Sequence, residues 1–294
     1  MTTDYTSAAL ITGASSGIGR SYAEHLARRG YAPILVARRA GRLEALAQTI
    51  HRDTGVAATV LAADLAEEGD LTRIEETIAN HNSLAVVVNA AGLGGLGPVQ
   101  QVTAETLNHV VAVNVLALTR LSRAALRSFS NRGFGTLINV SSIGAFKAPP
   151  NGASYGASKA YGLHFTRGLQ REVEGGRIRV QAVLPGPVRT EFFEAAGMDS
   201  TVFARESFVE ADDLVGAALA GLDLGELVCI PTLRQPAMLG DVITREESLR
   251  DAAGVRGVIA DRYTASAGGT PAHEGSARRG STNPHRRHGD PQVF

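Results

Sequence analysis

Short apolar runs alternate with longer segments of helical periodicity along most of this chain, and this alternation constrains its fold more than any other feature. Several runs are nearly continuous in Val, Ile, Leu and Ala, which is typical of strands buried on both faces of a parallel sheet. They cover residues 8–12, 32–37, 56–62, 84–90, 135–141, 178–185 and 227–231. The segments between them predict helices near residues 17–29, 40–54, 67–80, 103–130, 152–174 and 210–222. The pattern predicts an α/β fold, with a doubly wound parallel sheet of about seven strands and helices on both faces.

Composition adds few constraints. Of the 294 residues, 44% are hydrophobic and 20% are charged, which is enough to bury a full core, and we expect one domain over residues 1–264. Lys+Arg and Asp+Glu are both 29, so the charge balance gives no indication of a nucleic-acid or anionic-membrane partner. Cys229 is the only cysteine, which excludes an intrachain disulfide and a cysteine-based metal site.

The two ends of the chain lack targeting or folding signals. The first residues have no basic region ahead of an apolar stretch, and no apolar run approaches the roughly 18 residues of a membrane span. We therefore expect a cytoplasmic protein without a membrane partner. Residues 265–294 are dominated by Gly, Ser, Pro, Arg and His, which predicts a disordered tail, with a basic binding arm as the alternative. The histidines of this tail have no metal-ligand spacing, and we expect no metal site.

A glycine-rich turn, TGASSGIG, directly follows the first predicted strand and opens the first predicted helix. Glycine permits positive φ and lets a pyrophosphate approach the main chain, while the helix N-terminus presents free N–H groups. The strand–turn–helix context favours a Rossmann-like dinucleotide site over a plain βα turn. The residues of the turn assigned to this site are Gly13, Ser15, Ser16, Gly17, Ile18 and Gly19.

The end of the second strand indicates which dinucleotide is bound. An acidic residue at this position binds the ribose 2′-OH of NAD, whereas an arginine accommodates the 2′-phosphate of NADP. The sequence there is ILVARRAGRLE, with Arg38 and Arg39 in place of the acid and Glu44 as the first acidic residue. We expect NADPH to be favoured over NADH, with Arg38 the stronger candidate and at least one of the two arginines simply solvated.

Five motifs occur in an order that resembles one family. They are the TGASSGIG turn, NAAG at 89–92, the set Ser142, Tyr155 and Lys159, and PGPVRT at 185–190, together with the arginines after the second strand. Over residues 8 to 231 the chain resembles the short-chain dehydrogenase/reductase family. The resemblance implies an NADP-dependent oxidoreductase that acts on a small-molecule alcohol or carbonyl compound, and relatives that are often homodimers or homotetramers.

The resemblance also implies catalytic roles. Tyr155 would be the general acid/base and Lys159 its partner; four residues apart, they share a helix face, and a cation beside a phenol lowers its pKa. Ser142 would polarise the substrate carbonyl, and Asn114 would hold a water in a proton relay. Asn114 is equally consistent with a buried side chain bonded to a bulged backbone, and Tyr161 is expected only to pack.

Further positions match the cofactor contacts of the family. Asp64 matches an adenine contact, for which helix capping is the alternative, and Ala90 replaces the second of two asparagines that the family commonly has after the fourth strand. The matched positions outside the glycine turn and the arginines are Asp64, Leu65, Asn89, Ala90, Tyr155, Lys159, Pro185, Gly186, Val188 and Thr190.

The sequence therefore predicts NADPH-dependent reduction of a ketone or aldehyde, or oxidation of the corresponding alcohol, through a Ser-Tyr-Lys-Asn relay. The alternatives are a catalytically silent dinucleotide-binding sensor or scaffold, and an epimerase or dehydratase that uses the same site. A substrate lid is expected over about residues 190–210. Its four phenylalanines suit a hydrophobic substrate, although they would equally pack the lid onto the core.

Overall fold

The computed structural model describes residues 7–197, 201, 203–254, 257, 259–260 and 263. Contacts divide the chain into two compact units, Met1–Arg234 and Gln235–Phe294. The predicted domain boundary at 264/265 and the predicted disordered tail lie outside the described residues, and both stay predictions.

Nine strands lie in the first unit, within the described residues. They are β1 (Ala8–Thr12), β2 (Ala32–Ala37), β3 (Thr59–Ala62), β4 (Leu84–Asn89), β5 (Gly135–Val140), β6 (Ile178–Val183), β7 (Val188–Arg189), β8 (Val209–Glu210) and β9 (Val228–Cys229). Seven of them form one parallel sheet in the order β3-β2-β1-β4-β5-β6-β9, and β7 pairs with β8. The predicted seven-stranded, doubly wound parallel sheet is confirmed.

The helices connect successive strands. They are α1 (Gly17–Arg28), α2 (Ala40–Thr54), α3 (Glu68–Asn80), α4 (Ala104–Val111), α5 (Leu118–Arg132), α6 (Ala153–Glu172), α7 (Phe192–Ala195), α8 (Ala211–Asp223) and, in the second unit, α9 (Ala237–Gly254). A π-helical segment, Ala112–Ala117, joins α4 to α5, where the sequence predicted one continuous helix. Left-handed glycines end two helices, with φ of 73° at Gly55 and 77° at Gly133.

Helices cover both faces of the sheet, because successive residues of its buried strands point to opposite sides. On one face Ile11 packs with Tyr22 of α1 and Val215 of α8. On the other face Leu10 packs with Ile74 of α3 and Phe129 of α5. β1, β2, β4 and β5 are buried as predicted, but β3 is partly exposed. The expectation of two-sided burial is wrong for β3, because it is the edge strand.

β1 lies between β2 and β4, so the direction in which the chain adds strands reverses at β1. In a doubly wound sheet, such a reversal opens a crevice at the carboxyl ends of the strands, and ligands bind there. The predicted site residues follow β1, β2, β4, β5 and β6, and the topology therefore brings them to one edge of the sheet.

One helical stretch, Ala104–Arg132, is long and apolar enough by length and composition to cross a membrane. Core helices of soluble proteins meet the same criterion, and this stretch contributes Ala117, Leu121 and Phe129 to the buried core. It is weak evidence for a membrane span.

Candidate active site

Tyr155 and Lys159 lie on α6, beside the carboxyl end of β5. The ammonium of Lys159 is buried, donates a hydrogen bond to Val140 O at 3.1 Å, and lies 5.8 Å from the centre of the Tyr155 ring. Ser141 Oγ donates to the Lys159 carbonyl at 2.7 Å. This bond fixes α6 against the end of β5.

Ser142 lies on the loop after β5, beside the Tyr155 ring: a Cβ on Gly144 would lie 3.3 Å from Ser142 Oγ and 3.4 Å from Tyr155 Cε1. The Ser142 hydroxyl accepts a hydrogen bond from Gly144 N at 3.0 Å, which fixes its orientation. One residue on, Ile143 N donates to Pro185 O at 3.0 Å and ties this loop to the turn after β6. The structure therefore brings together the predicted Ser142, Tyr155 and Lys159.

Burial shifts the two titratable groups in opposite directions. It raises the pKa of Tyr155, and the hydrogen bond from Ser142 offsets only part of that rise. It lowers the pKa of Lys159 to about 8. The expectation that Lys159 lowers the phenol pKa is wrong for the chain by itself, since desolvation dominates and the ammonium is directed at Val140 O.

Asn114 lies in the π-helical segment, where its side chain is almost completely buried. Its amide donates to Leu93 O and to Ser158 Oγ, both at 2.9 Å, and its Oδ1 accepts from Leu93 N at 2.8 Å. The interpretation of Asn114 as a buried residue bonded to irregular backbone is confirmed. Its role in holding a water stays a prediction, for which one lone pair of Oδ1 is left.

Ser158 was missed by the sequence analysis. Its hydroxyl accepts from Asn114 and donates to the Tyr155 carbonyl at 2.7 Å, so it connects the π-helical segment with the turn of α6 that carries the phenol. A serine one residue before the lysine has no distinctive local pattern, and its two partners are revealed only by the packing of the two helices.

Gly92 keeps a gap open between two polar groups. A Cβ at this position would lie 3.2 Å from Lys159 Nζ and 3.5 Å from Asn114 Oδ1. Because the glycine has no side chain, the space between the ammonium and the amide oxygen stays free.

The glycine turn has the geometry that an anion requires. Gly13 and Gly17 have φ of 69° and 52°, which non-glycine residues rarely adopt, and a Cβ on Gly19 would collide with Gly13 O. α1 begins at Gly17, and the side chain of Ser16 does not cap it. The first N–H groups of the helix are therefore available to a pyrophosphate, so the turn fits a dinucleotide.

Two neighbouring loops pack directly on this turn. A Cβ on Gly13 would lie 2.9 Å from the backbone of Ala91, and one on Gly17 would lie 2.8 Å from Thr190 Cγ2. Thr12, also missed by the sequence analysis, accepts hydrogen bonds from the backbone of Ala90 and Ala91, each at 3.1 Å. The structure thus brings the NAAG and PGPVRT motifs to the two sides of the glycine turn.

The contacts at Ala90 and Asn89 show how the end of β4 is held. The Asn89 amide donates to Asn139 Oδ1 at 2.9 Å and to Ser122 Oγ at 3.2 Å. At Ala90, where the family commonly has a second asparagine, the backbone bond to Thr12 fixes the strand end. Leu65 and Val188 are buried, Pro185 supplies its carbonyl to Ile143, and Gly186 lies in the turn between β6 and β7.

The two arginines after β2 have different surroundings. Arg38 is 65% exposed, and its nearest carboxylate is Asp64 at 3.8 Å. Arg39 instead donates to the Ser15 and Ser16 hydroxyls of the glycine turn, at 3.0 Å each, and to Glu191 at 2.9 Å. Asp64 accepts from Ala66 N at 3.0 Å, so it stabilises the turn ahead of α3, while its adenine contact stays a prediction.

The described part of the lid is an aromatic cluster. The Phe193 ring lies 5.5–5.6 Å from those of Phe192, Phe203 and Phe208, and Phe192 lies 5.6 Å from the Tyr155 ring. A Cβ on Gly94 would lie 2.5 Å from that of Ala196. The lid therefore packs beside the phenol, and both interpretations of its phenylalanines stay predictions. Lid residues 198–200 and 202 lie outside the described residues.

The part of the chain that the structure describes contains no cluster of potential metal ligands. No group of three or more His, Cys, Asp or Glu side chains there could hold a metal ion. Cys229 is buried.

Known proteins share this architecture. A family model described as short chain dehydrogenase matches residues 7–200. The very-long-chain 3-oxoacyl-CoA reductase of Anas platyrhynchos is 29% identical over 69% of this chain, and the match spans 66% of the duck protein. A short-chain dehydrogenase from Sphingobium yanoikuyae, solved in complex with NADPH, is 40% identical with a TM-score of 0.82, and the match covers 87% of this chain and 100% of that one.

A second solved structure is the bulky-bulky ketone specific alcohol dehydrogenase from Comamonas testosteroni. It is 34% identical with a TM-score of 0.79, and the match covers 87% of this chain and 98% of that one. Together with the parallel sheet and the site at its carboxyl edge, these matches define a Rossmann-type oxidoreductase that acts on alcohols or ketones. The chain belongs to the short-chain dehydrogenase/reductase family.

Proposed function

We propose that this enzyme uses NADPH to reduce a ketone or aldehyde, or NADP to oxidise the corresponding alcohol. The observation that carries the proposal is the position of Ser142 beside the Tyr155 ring, with the buried Lys159 one helical turn further along α6. This constellation lies at the carboxyl edge of the sheet on which the glycine turn also lies.

The residues of the chain divide the work between them. Ser142 and Tyr155 hydrogen-bond the carbonyl oxygen, and Tyr155, kept neutral by its raised pKa, donates the proton. Lys159 supplies positive charge beside the developing alkoxide. The nicotinamide cofactor, when bound, supplies or accepts the hydride.

The cofactor would be held by three parts of the site. The glycine turn and the N-terminus of α1 bind the pyrophosphate. Arg38 and Arg39 bind the 2′-phosphate, and Asp64 contacts the adenine. Pro185, Gly186, Val188 and Thr190 lie on the nicotinamide side. The remaining proposed cofactor contacts are Ile18, Leu65, Asn89, Ala90, Tyr155 and Lys159.

The proton given up by Tyr155 would be replaced through Lys159 and a water held by Asn114. Gly92 supports this route, because it leaves open the space between Lys159 Nζ and the free lone pair of Asn114 Oδ1.

Replacing Tyr155 tests the catalytic assignment. We expect Tyr155→Phe to lower kcat by about 10²–10⁴-fold with little change in NADPH affinity, because the phenol is the proton donor. Tyr161→Phe is the matched control, since Tyr161 lies on the same helix as Tyr155 but its hydroxyl hydrogen-bonds Thr119 of α5. Wild-type turnover by Tyr155→Phe on an established substrate would contradict the proposal.

Binding measurements test the cofactor preference. We expect NADPH to bind more tightly than NADH, because basic side chains replace the acid at the end of β2. The NADPH complex of the similar Sphingobium protein supports this expectation. Arg38→Ala and Arg39→Ala should each weaken NADPH binding and leave NADH binding within about twofold. Equal dissociation constants for the two cofactors in the wild-type enzyme would contradict the preference.

The aromatic lid beside Tyr155 supports an apolar and bulky carbonyl substrate. The similar Comamonas protein is named for bulky-bulky ketones, which is the substrate class to test first. A panel that compares diaryl and aryl-alkyl ketones with short polar ones should show kcat/KM rising with apolar size. Tight NADPH binding without turnover of any compound would instead identify a sensor, and an isomerised or dehydrated product would identify an epimerase or dehydratase.

The location and the oligomeric state are proposed from the composition of the sequence and the family resemblance. We propose a cytoplasmic enzyme with no membrane or nucleic-acid partner that forms homodimers or homotetramers. Light scattering of the purified chain measures its mass in solution, and cell fractionation tests the location.

A further inference from the structure

Glu191, the residue after the PGPVRT motif, binds both arginines that extend from the start of α2. Arg39 Nη1 donates to one of its oxygens at 2.9 Å. Arg42 Nη1 donates to both oxygens, at 2.6 and 2.8 Å. These residues are about 150 positions apart in the chain, so the contact depends on the fold, and no feature of the sequence predicted it.

The same cluster has the chemistry of a phosphate site. Arg39 also contacts the Ser15 and Ser16 hydroxyls, which accept from it and therefore keep their own protons free to donate. Two guanidinium groups and two hydroxyl donors converge there, and Glu191 is the anion that they hold. The Glu191 carboxylate thus occupies the position in which the phosphate of a ligand would bind.

Charge decides whether both anions are accommodated. Arg39 and Arg42 supply two positive charges, and Glu191 neutralises one of them. The charge of Arg38 is balanced by Asp64 at 3.8 Å. A phosphate monoester carries a charge of about −1.5 to −2 at pH 7, so its arrival beside an undisplaced Glu191 leaves an uncompensated negative charge. The side chains of Arg39, Arg42 and Glu191 are 42%, 49% and 47% exposed, so the carboxylate can rotate into water.

We propose that Glu191 is an internal competitor for the 2′-phosphate of NADPH, and that the phosphate binds by displacing its carboxylate from Arg39 and Arg42. This proposal rests on the NADPH preference proposed above. Only the fraction of enzyme in which the Glu191 carboxylate is free of the arginines binds the phosphate. The apparent affinity for NADPH is reduced to that fraction of its intrinsic value. NADH carries a 2′-OH, does not need the arginines, and is unaffected by Glu191.

The test compares Glu191→Gln and Glu191→Ala with the wild-type enzyme in NADPH and NADH binding followed by stopped-flow fluorescence. We expect NADPH to bind about three- to tenfold more tightly through faster association, with an unchanged dissociation rate because the bound state lacks the Glu191 contact. NADH binding should stay within about twofold, and 2′,5′-ADP, which carries the phosphate alone, should show the same gain as NADPH.

Glu194→Gln is the matched control. It removes an equal charge three residues further on, from a carboxylate that forms no ion pair with these arginines among the described residues. The control should change NADPH binding less than twofold. An equal gain in Glu194→Gln would reduce the effect to general electrostatics and overturn the proposal, as would weaker or unchanged NADPH binding in both Glu191 variants.

The measurements distinguish a failure of the proposed NADPH preference from a failure of the proposed role of Glu191. If the wild-type enzyme prefers NADPH and Arg39→Ala removes that preference, but neither Glu191 variant gains affinity, only the role of Glu191 is wrong. If the wild-type enzyme binds both cofactors equally and Arg39→Ala changes neither, the NADPH preference is wrong and the role of Glu191 with it. Thermal denaturation confirms that each variant is folded.

Discussion

Burial sets the protonation states of the two groups at the centre of the site. Tyr155 loses water around its phenol and keeps its proton through the neutral range, as a proton donor requires. Lys159 loses water around its ammonium, and its pKa falls to about 8, so it is charged at neutral pH and loses its charge just above it. The pair is therefore suited to reduction at neutral pH.

The pH dependence of carbonyl reduction follows from these two shifts. Below about pH 8 both protons are present, and above it Lys159 becomes neutral, so we expect kcat/KM for reduction to fall as the pH rises through about 8. Initial rates from pH 6 to 10 measure it. As a control, Lys147→Met should keep the same pH profile, because Lys147 is exposed and is the one other lysine in the sequence. A flat profile through pH 9.5 would contradict the assignment.

Filling the gap at Gly92 tests the proton relay. We expect Gly92→Ala to lower kcat by roughly tenfold, since the new methyl group would lie 3.2 Å from Lys159 Nζ and displace a water. NADPH affinity and thermal stability should change little. Gly168→Ala on α6 is the control, because a Cβ there meets nothing within 4 Å. Full activity of Gly92→Ala would show that the proton takes another route.

The sequence predicted the site unequally at this scale. Ser142, Tyr155 and Lys159 were identified through the family resemblance, because their spacing along one strand end and one helix matches the motif of the family. Ser158 and Glu191 act through partners on other elements, and the pKa of Tyr155 depends on burial. A linear sequence does not state which side chains lose water, and these features therefore required the structure.

At the scale of elements, apolar periodicity predicted most strands and helices because each packs one or both faces into the core. It missed the π-helical segment, because residues 112–117 are apolar apart from Asn114 and the sequence there contains no helix-breaking residue. It also missed the exposure of β3, which depends on the order of strands in the sheet. α9 has no described buried residue and gave no amphipathic signal.

The contact between α5 and β5 gives a stability test of this packing. A Cβ on Gly135 of β5 would collide with the buried Phe129 ring of α5, so we expect Gly135→Ala to destabilise the protein by about 1–3 kcal/mol. Urea denaturation measures the change. Combining it with Phe129→Leu should recover part of the loss, because the smaller side chain makes room. Independent, additive effects of the two substitutions would contradict the clash.

At the scale of the whole molecule, every candidate site residue lies within Met1–Arg234. Removing residues 265–294 should therefore leave kcat/KM within about twofold and the Tm unchanged, as the composition of that segment predicts. Steady-state kinetics and thermal denaturation of the shortened chain measure this. A loss of activity greater than tenfold would favour the alternative of a binding arm.

The aromatic lid connects two strands of two residues each, β7 and β8, and its phenylalanine rings contact mainly one another. The residues assigned to the reaction stand instead after β5, on α6 and in the π-helical segment. In the glycine turn, neighbouring backbone leaves no room for larger side chains at Gly13 and Gly19. Substitutions in the lid can therefore change which substrates are accepted without altering the catalytic residues. The positions concerned are Phe192, Phe193, Phe203 and Phe208. A library restricted to these four codons is a small starting point for laboratory evolution.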